Sequence, residues 1–150
     1  MTPHSILVVT DFSELGGHAL ARAALLGAEH RAALQLVYLS APGEVPPPDV
    51  ALRLSHHALQ LRQRQQIAVQ AVSRVDCTVA DIARAAAAHD LVVWGTAPQR
   101  GLRAWWGTHP ALQLLRACQR PVVVVRNAAD QPHQGLLVAV DFSQASHRLV

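Results

Sequence analysis

Residues 6–13 read ILVVTDFS: four large apolar residues, then a threonine, an aspartate, a phenylalanine and a serine. A short continuous apolar run predicts a β-strand that is buried on both faces, as strands of parallel sheets are. Ser13 is a good helix N-cap, and from there to about His30 a helical stripe of apolar side chains is predicted, formed by Leu15, Ala19, Ala23, Leu25 and Leu26. The stretch therefore predicts a strand followed directly by a helix.

The same alternation continues to residue 125 and predicts five strands with a helix between each pair. Strands that alternate with helices imply a parallel sheet with helices on both faces. The predicted strands are 6–9, 34–39, 67–75, 91–94 and 121–125. The predicted helices follow the caps Ser13, Asp49, Asp76 or Thr78, and Thr108, the first reaching about His30 and the third His89; the proline-rich stretch 41–48 is a loop.

The expected fold is an α/β open doubly wound parallel five-stranded sheet of order 3-2-1-4-5, because crossovers between parallel strands are right-handed. In this order the winding reverses between strands 1 and 4. Ligands of such sheets bind at the carboxyl ends of the strands at that switch point. The order therefore nominates Thr10-Asp11-Phe12 after strand 1 and Gly95 onward after strand 4.

Composition excludes several classes of protein. The chain has 150 residues, of which 51% are hydrophobic and 15% charged, which indicates a folded domain rather than a disordered chain. No apolar run is long enough to span a membrane, and the +3 net charge, carried by arginine without lysine, forms no basic cluster for nucleic acid. Cys77 and Cys118 form no CxxC pair, which favours a reducing, cytoplasmic location.

A partial internal repeat lies near the end of the chain. Residues 136–143, LLVAVDFS, match residues 6–13 at a fixed offset, and the polar stretch 128–135 between the two units is typical of a linker. We interpret 1–127 as one domain and 136–150 as the start of a second, truncated copy. A chance strand is the alternative.

Five motifs resemble the universal stress protein family over most of residues 5–126. They are VVTDFS at 8–13, DLVVWGT at 90–96, GL at 101–102, GT at 107–108 and PVVVV at 121–125. The resemblance implies the sheet order given above and, in many members, ATP binding with Mg²⁺ alongside. It also implies a regulatory, stress-linked role rather than catalysis.

The phosphate loop of ATP-binding members is similar to 95–108 but not identical to it. That loop is written G-x2-G-x9-G-[ST]; here Gly95 and Gly107-Thr108 match, whereas Pro98 occupies the second glycine position and only eight residues separate it from Gly107. Proline has no N–H to offer a phosphate, and Arg100 or Arg103 would supply charge instead. The nucleotide contacts that the resemblance implies are Thr10, Asp11, Leu39, Gly95, Arg100, Gly101, Gly107 and Thr108.

Each of the main candidates also has a structural interpretation. Asp11 either contacts the nucleoside or caps the first helix, and Leu39 either meets adenine through its backbone or packs in the core. Gly95 either admits a ligand or makes a turn. His56-His57 favours a structural or surface role over a metal site, because adjacent helical residues point about 100° apart.

No motif pairs a nucleophile with a base, so we expect no enzyme, with weak ATP hydrolysis the residual option. A second hypothesis keeps the fold without a nucleotide and makes the protein a dimerisation or interaction module. In either case strand 5, Val122 to Val125, lies at the sheet edge and predicts a homodimer.

Overall fold

The computed structural model describes residues 2–40, 45–72, 78–95, 110–128 and 131. Strands and helices alternate throughout these ranges, as predicted. In chain order they are β1 (Ser5–Thr10), α1 (Glu14–His30), β2 (Ala33–Tyr38), α2 (Val50–Gln65), β3 (Val69–Val72), α3 (Val79–Ala86), β4 (Leu91–Gly95), α4 (Pro110–Ala117) and β5 (Val122–Val125).

The five strands form one parallel sheet of order β3-β2-β1-β4-β5, which confirms the predicted fold class. β1 is central, and its residue Val9 lies opposite Val37 of β2 and Trp94 of β4. Because all strands run the same way, their carboxyl ends share one edge of the sheet. Within the described residues β5 pairs only with β4 and is an edge strand, as expected.

Alternate residues of β1 face two separate apolar layers. Ile6 and Val8 pack on the side of α1 and α2, whereas Leu7 and Val9 pack on the side of α3 and α4. All four are fully buried. This double burial explains why β1 is a continuous apolar run rather than an alternating one.

The buried face of α1 differs from the predicted stripe. Ala19 and Ala23 are buried as expected, but Leu15, Leu25 and Leu26 are only half-buried. The rest of the buried face consists of Gly16, Leu20, Ala24 and Gly27. Small residues, glycine above all, let the helix axis come close to the sheet, which moves the leucines to the rim of the contact.

Three of the predicted helix caps, Ser13, Asp49 and Thr78, are within the described residues, and Ser13 caps α1 as predicted. Thr78 begins α3 with a complete capping box, because its side chain accepts from the Asp81 N–H while Asp81 bonds back to Thr78. Asp49 occupies the N-cap position of α2 but makes no capping hydrogen bond, so that prediction was wrong in its chemistry. Its φ of −99° and ψ of 14° are not the extended conformation that directs a cap side chain to the helix.

The predicted bounds of β1, β2, β4 and β5 differ from the structure by one residue at one or both ends, and two boundaries need larger corrections. β3 begins at Val69 rather than Ile67, because Gln66 ends α2 in a left-handed conformation and Ile67 packs against Gly27 of α1. α3 ends at Ala86 rather than His89, and the residues that follow close tight turns with bonds three residues back. Predicted residues 73–75 of β3 and the Thr108 cap of α4 lie outside the described residues.

Within the part of the chain that the structure describes, no helix is both long enough and apolar enough to cross a membrane. The proposed linker and second copy fall almost wholly outside the described residues, so the domain division stays a prediction.

Candidate functional site

The turn after β1 is fixed by Thr10, the last residue of that strand. Thr10 is fully buried, and its Oγ1 accepts a hydrogen bond from the Phe12 N–H at 3.1 Å. Its carbonyl oxygen accepts from the Leu39 N–H at 3.0 Å, which joins the end of β1 to the residue that follows β2. The Leu39 N–H is therefore engaged within the protein.

Asp11 lies beside the start of α1 with an exposed side chain. Its Oδ1 accepts from the Ser13 N–H at 2.9 Å and from the Ser13 hydroxyl. Ser13 in turn is the N-cap of α1, since its Oγ accepts from the Gly16 N–H at 3.1 Å. Asp11 thus orients the cap instead of capping the helix itself, and its Oδ2 has no hydrogen bond to any described residue.

Gly95 ends β4 against the first turn of α1. A Cβ atom at this position would lie 1.8 Å from the Leu15 carbonyl oxygen and 3.0 Å from the Gly16 nitrogen. Real Cβ atoms essentially never approach another atom so closely. Packing of helix backbone on strand backbone is thus a sufficient reason for glycine here, whether or not a ligand also approaches.

Gly16 is a site residue that the sequence analysis missed. A Cβ atom there would lie 2.6 Å from the Thr10 Oγ1 and 2.8 Å from the Asp11 Oδ1. Gly16 therefore gives the end of β1 and the Asp11 carboxylate their space beside α1. The adjacent pair Gly16-Gly17 was the available signal, although Gly17 has no atom within 4 Å of its Cβ position.

Phe12 adopts a left-handed backbone conformation, with φ at 60°, which is uncommon for a large side chain. Its ring stacks on Tyr38, with centroids 4.9 Å apart, and on His57 at 5.9 Å. The Arg53 guanidinium carbon lies 4.0 Å from the centre of the same ring. The sequence analysis missed this cluster, although Arg53 and His57 stand four residues apart on the predicted α2.

Asp90 lies just before β4, where the strands begin, at the end of the sheet opposite the candidate site. One carboxylate oxygen accepts from the backbone N–H groups of His4 and Ser5 and from the Ser5 hydroxyl, at 2.9–3.0 Å. The His4 backbone bond, followed by the Ser5 hydroxyl bond, lowers the pKa of Asp90 below its ordinary value. This aspartate, the first residue of the DLVVWGT motif, therefore ties β1 to β4 at the far end from the candidate site.

The structure brings four predicted site residues to one edge of the sheet: Thr10, Asp11, Leu39 and Gly95. Their grouping follows from the β2-β1-β4 order and the Thr10–Leu39 hydrogen bond. The remaining predicted contacts lie outside the described residues, as do other residues that the sequence analysis weighed. These are Arg100, Gly101, Gly107 and Thr108, together with Cys77, Pro98 and Arg103.

Metal binding and thiol chemistry find no positive support. Within the described ranges, no three His, Cys, Asp or Glu side chains gather in a way that would hold a metal ion. His57 instead stacks on Phe12. Cys118 is half-buried and packs against the apolar layer of α3 and α4, as a small hydrophobic residue does.

The profile of the universal stress protein family matches residues 3–126. A crystal structure of a universal stress protein in complex with cAMP is 19% identical, with a TM-score of 0.68 over 84% of this chain and 98% of that chain. A family protein from Burkholderia pseudomallei is 24% identical, with a TM-score of 0.55 over 83% and 96%. The Archaeoglobus fulgidus universal stress protein in complex with dAMP is 19% identical, with a TM-score of 0.57 over 84% and 100%.

At these low sequence identities, similarity to the solved structures establishes the fold. No curated protein matches the chain. The family profile covers far more than half of the sequence, and the strand order agrees with it. The chain belongs to the universal stress protein family.

Proposed function

We propose that this domain binds an adenine nucleotide at the carboxyl ends of β1 and β4 and acts as a stress-response regulatory module. One observation carries the proposal: β1 and β4 are neighbours at the point where the sheet reverses its winding, with Asp11 and Gly95 at their ends. Parallel α/β sheets bind ligands at such a point.

The hydrogen-bond acceptors at this edge fit the nucleoside part of the ligand. Asp11 is exposed, and its Oδ2 is unbonded among the described residues, so it would accept a hydrogen bond from a ribose hydroxyl. The Leu39 carbonyl, which follows β2, would accept from the adenine amino group. Thr10 holds the two strand ends together beneath them.

Two family structures support an adenine ligand, since one is a complex with cAMP and another a complex with dAMP. The phosphates would lie near Gly95, Arg100, Gly101, Gly107 and Thr108. Because Pro98 removes one backbone donor from this loop, the arginine charge would carry more of the phosphate binding. ATP with Mg²⁺ is the nucleotide that the loop's likeness to the family pattern favours, and it would act as a regulatory ligand, not as a substrate.

An interaction module without a nucleotide is the second candidate, and the β5 edge favours it. Val122, Val123 and Val124 are half-buried on a strand that pairs on one side only. An apolar edge of this kind can pair with a second copy of the chain. Through β5 the protein would form a homodimer, and residues 136–150 would begin a second copy of the domain, as in a tandem protein.

We place the protein in the cytoplasm and assign it no nucleic acid or membrane partner.

Isothermal titration with ATP, ADP, AMP, cAMP and dAMP, each with and without Mg²⁺, tests the first proposal. Removing a hydrogen bond to a charged group costs about tenfold in affinity or more, so Asp11→Ala should weaken every nucleotide that the wild type binds. Glu29→Ala is the matched control, because Glu29 is an exposed acid in the last turn of α1. It should bind as the wild type does.

Absence of heat at millimolar nucleotide, with an unchanged melting temperature, would reject the nucleotide proposal and leave the interaction module. A Pro98→Gly variant that gains affinity would identify the residue that limits phosphate binding. Sedimentation at high micromolar concentration tests the β5 dimer, and a clean monomer would reject it. Phosphate release from ATP by the wild type that exceeds release by Asp11→Ala would reject the assignment as a non-enzyme.

A further inference from the structure

The first two turns of α2 carry three basic side chains that the proposed nucleotide contacts do not use. Arg53, His56 and His57, together with Leu52, line an open pocket of about 350 Å³. Among the residues that the structure describes, no carboxylate lines this pocket. A pocket of that size lies at the lower end of the range for small-molecule sites.

Arg53 is oriented without an acidic partner. Its guanidinium carbon lies 4.0 Å from the centre of the Phe12 ring, and that ring is itself stacked on Tyr38. Among the described residues, the salt bridge found joins Arg84 to Asp81, and Arg53 forms no salt bridge with any of them. Asp49 stands one helical turn earlier and does not pair with it. A guanidinium held over a ring keeps its planar set of N–H donors for an incoming anion.

The two histidines add donors on the same wall. His57 is half-buried and stacks on Phe12, and the His56 ring lies 6.3 Å from the His57 ring. Burial, then the charge of His56 and then that of Arg53 lower the pKa of His57. Burial and the neighbouring charges thus disfavour the protonated form of His57, and a bound anion would favour that form.

Leu52 gives the pocket an apolar side. Its side chain is 72% exposed. Leucine and the imidazole faces would pack against a hydrocarbon or aromatic group, while the guanidinium would bind a charged one. The combination fits an amphipathic anion better than a bare inorganic ion.

We propose that this α2 pocket binds a small organic phosphate, with the phosphate on Arg53 and the histidines and the organic group against Leu52. Bidentate binding of a phosphate by a guanidinium supplies the specificity. This pocket shares no residue with the proposed nucleotide contacts, although it borders them, because Arg53 and His57 contact the ring of Phe12, which follows Asp11.

Phenyl phosphate is the test ligand, with inorganic phosphate and benzyl alcohol as its charged and apolar halves. Titrations are followed by ¹H–¹⁵N NMR on the full chain. We expect saturable shifts at the amides of residues 52–57, with phenyl phosphate binding more tightly than either half. Arg53→Gln should weaken binding about tenfold, whereas Arg64→Gln, an exposed arginine farther along the same helix, should change it by less than about twofold.

His56→Gln, on an exposed position, provides a second variant that leaves the Phe12 stack in place, and it should weaken binding severalfold. Asp11→Ala separates the two sites, because it should leave phenyl phosphate binding unchanged whether or not it abolishes nucleotide binding. Shifts that do not saturate, equal binding by Arg53→Gln and Arg64→Gln, or loss of phenyl phosphate binding in Asp11→Ala would each overturn the proposal.

Discussion

Gly95 and Leu15 meet backbone to backbone, so that a Cβ atom on Gly95 would lie 1.8 Å from the Leu15 carbonyl oxygen and 2.4 Å from its carbonyl carbon. The end of β4 therefore rests directly on the first turn of α1. This contact sets the distance between the helix that begins at the candidate site and the strand that borders it.

Gly95→Ala should destabilise the domain by about 3 kcal/mol, because the methyl group meets backbone atoms that cannot rotate away. Urea denaturation followed by circular dichroism measures the change. Gly17→Ala is the matched control: it lies on the same helix start with open space around it and should stabilise by about 0.5–1 kcal/mol. Equal stability of Gly95→Ala and the wild type would show that the helix is free to shift.

Gly16→Ala should have a milder effect on stability, about 1–2 kcal/mol, because its nearest neighbours are the ends of the Thr10 and Asp11 side chains. Those ends can move, but the Asp11 carboxylate then leaves its position beside Ser13. We therefore expect nucleotide affinity to fall severalfold in a variant that still folds. Titration with AMP compares it with Gly17→Ala, and unchanged affinity would count against Asp11 as a nucleotide contact.

Lowering the pH should weaken the hydrogen bonds by which Asp90 joins β1 to β4. The pKa of Asp90 lies below its ordinary 3.8, so the ionised carboxylate stabilises the folded state above that pH. This contribution is lost as the pH falls from about 4 through the folded-state pKa. Asp90→Asn should be less stable than the wild type at pH 7 and should lose less on acidification. Asp49→Asn, whose side chain makes no capping bond, should follow the wild-type pH profile.

Stability should also fall between neutral pH and pH 5 because of His57. The pKa of His57 lies below its ordinary 6.5, chiefly through burial. At pH values between the folded-state and unfolded-state pKa of His57, the unfolded chain therefore binds more protons than the folded chain. The contribution of His57 to the free energy of unfolding is fully present above about pH 6.5 and is lost as the pH drops. Urea midpoints measured across this range should vary less in His57→Gln than in the wild type. His30→Gln, in the last turn of α1, serves as the control and should retain the wild-type slope.

The sequence by itself determined the order of elements and the sheet. Continuous apolar runs such as 6–9 fit only strands buried on both faces, and the right-handed crossover rule then leaves few arrangements of five such strands. It also determined that Thr10, Asp11 and Gly95 end neighbouring strands, because that follows from the order alone. Thr78 was predictable as a cap, since its interactions with Asp81 are local in sequence.

Tertiary structure alone decided the distances between elements. The contact of Gly95 with Leu15, and the cluster of Phe12 with Tyr38, Arg53 and His57, join residues far apart in the chain, and such pairs leave no periodic signal. Asp49 failed as a cap because its backbone angles depend on how the chain enters α2. Local patterns specify elements, but the close packing of one element on another is fixed only when the whole core is assembled.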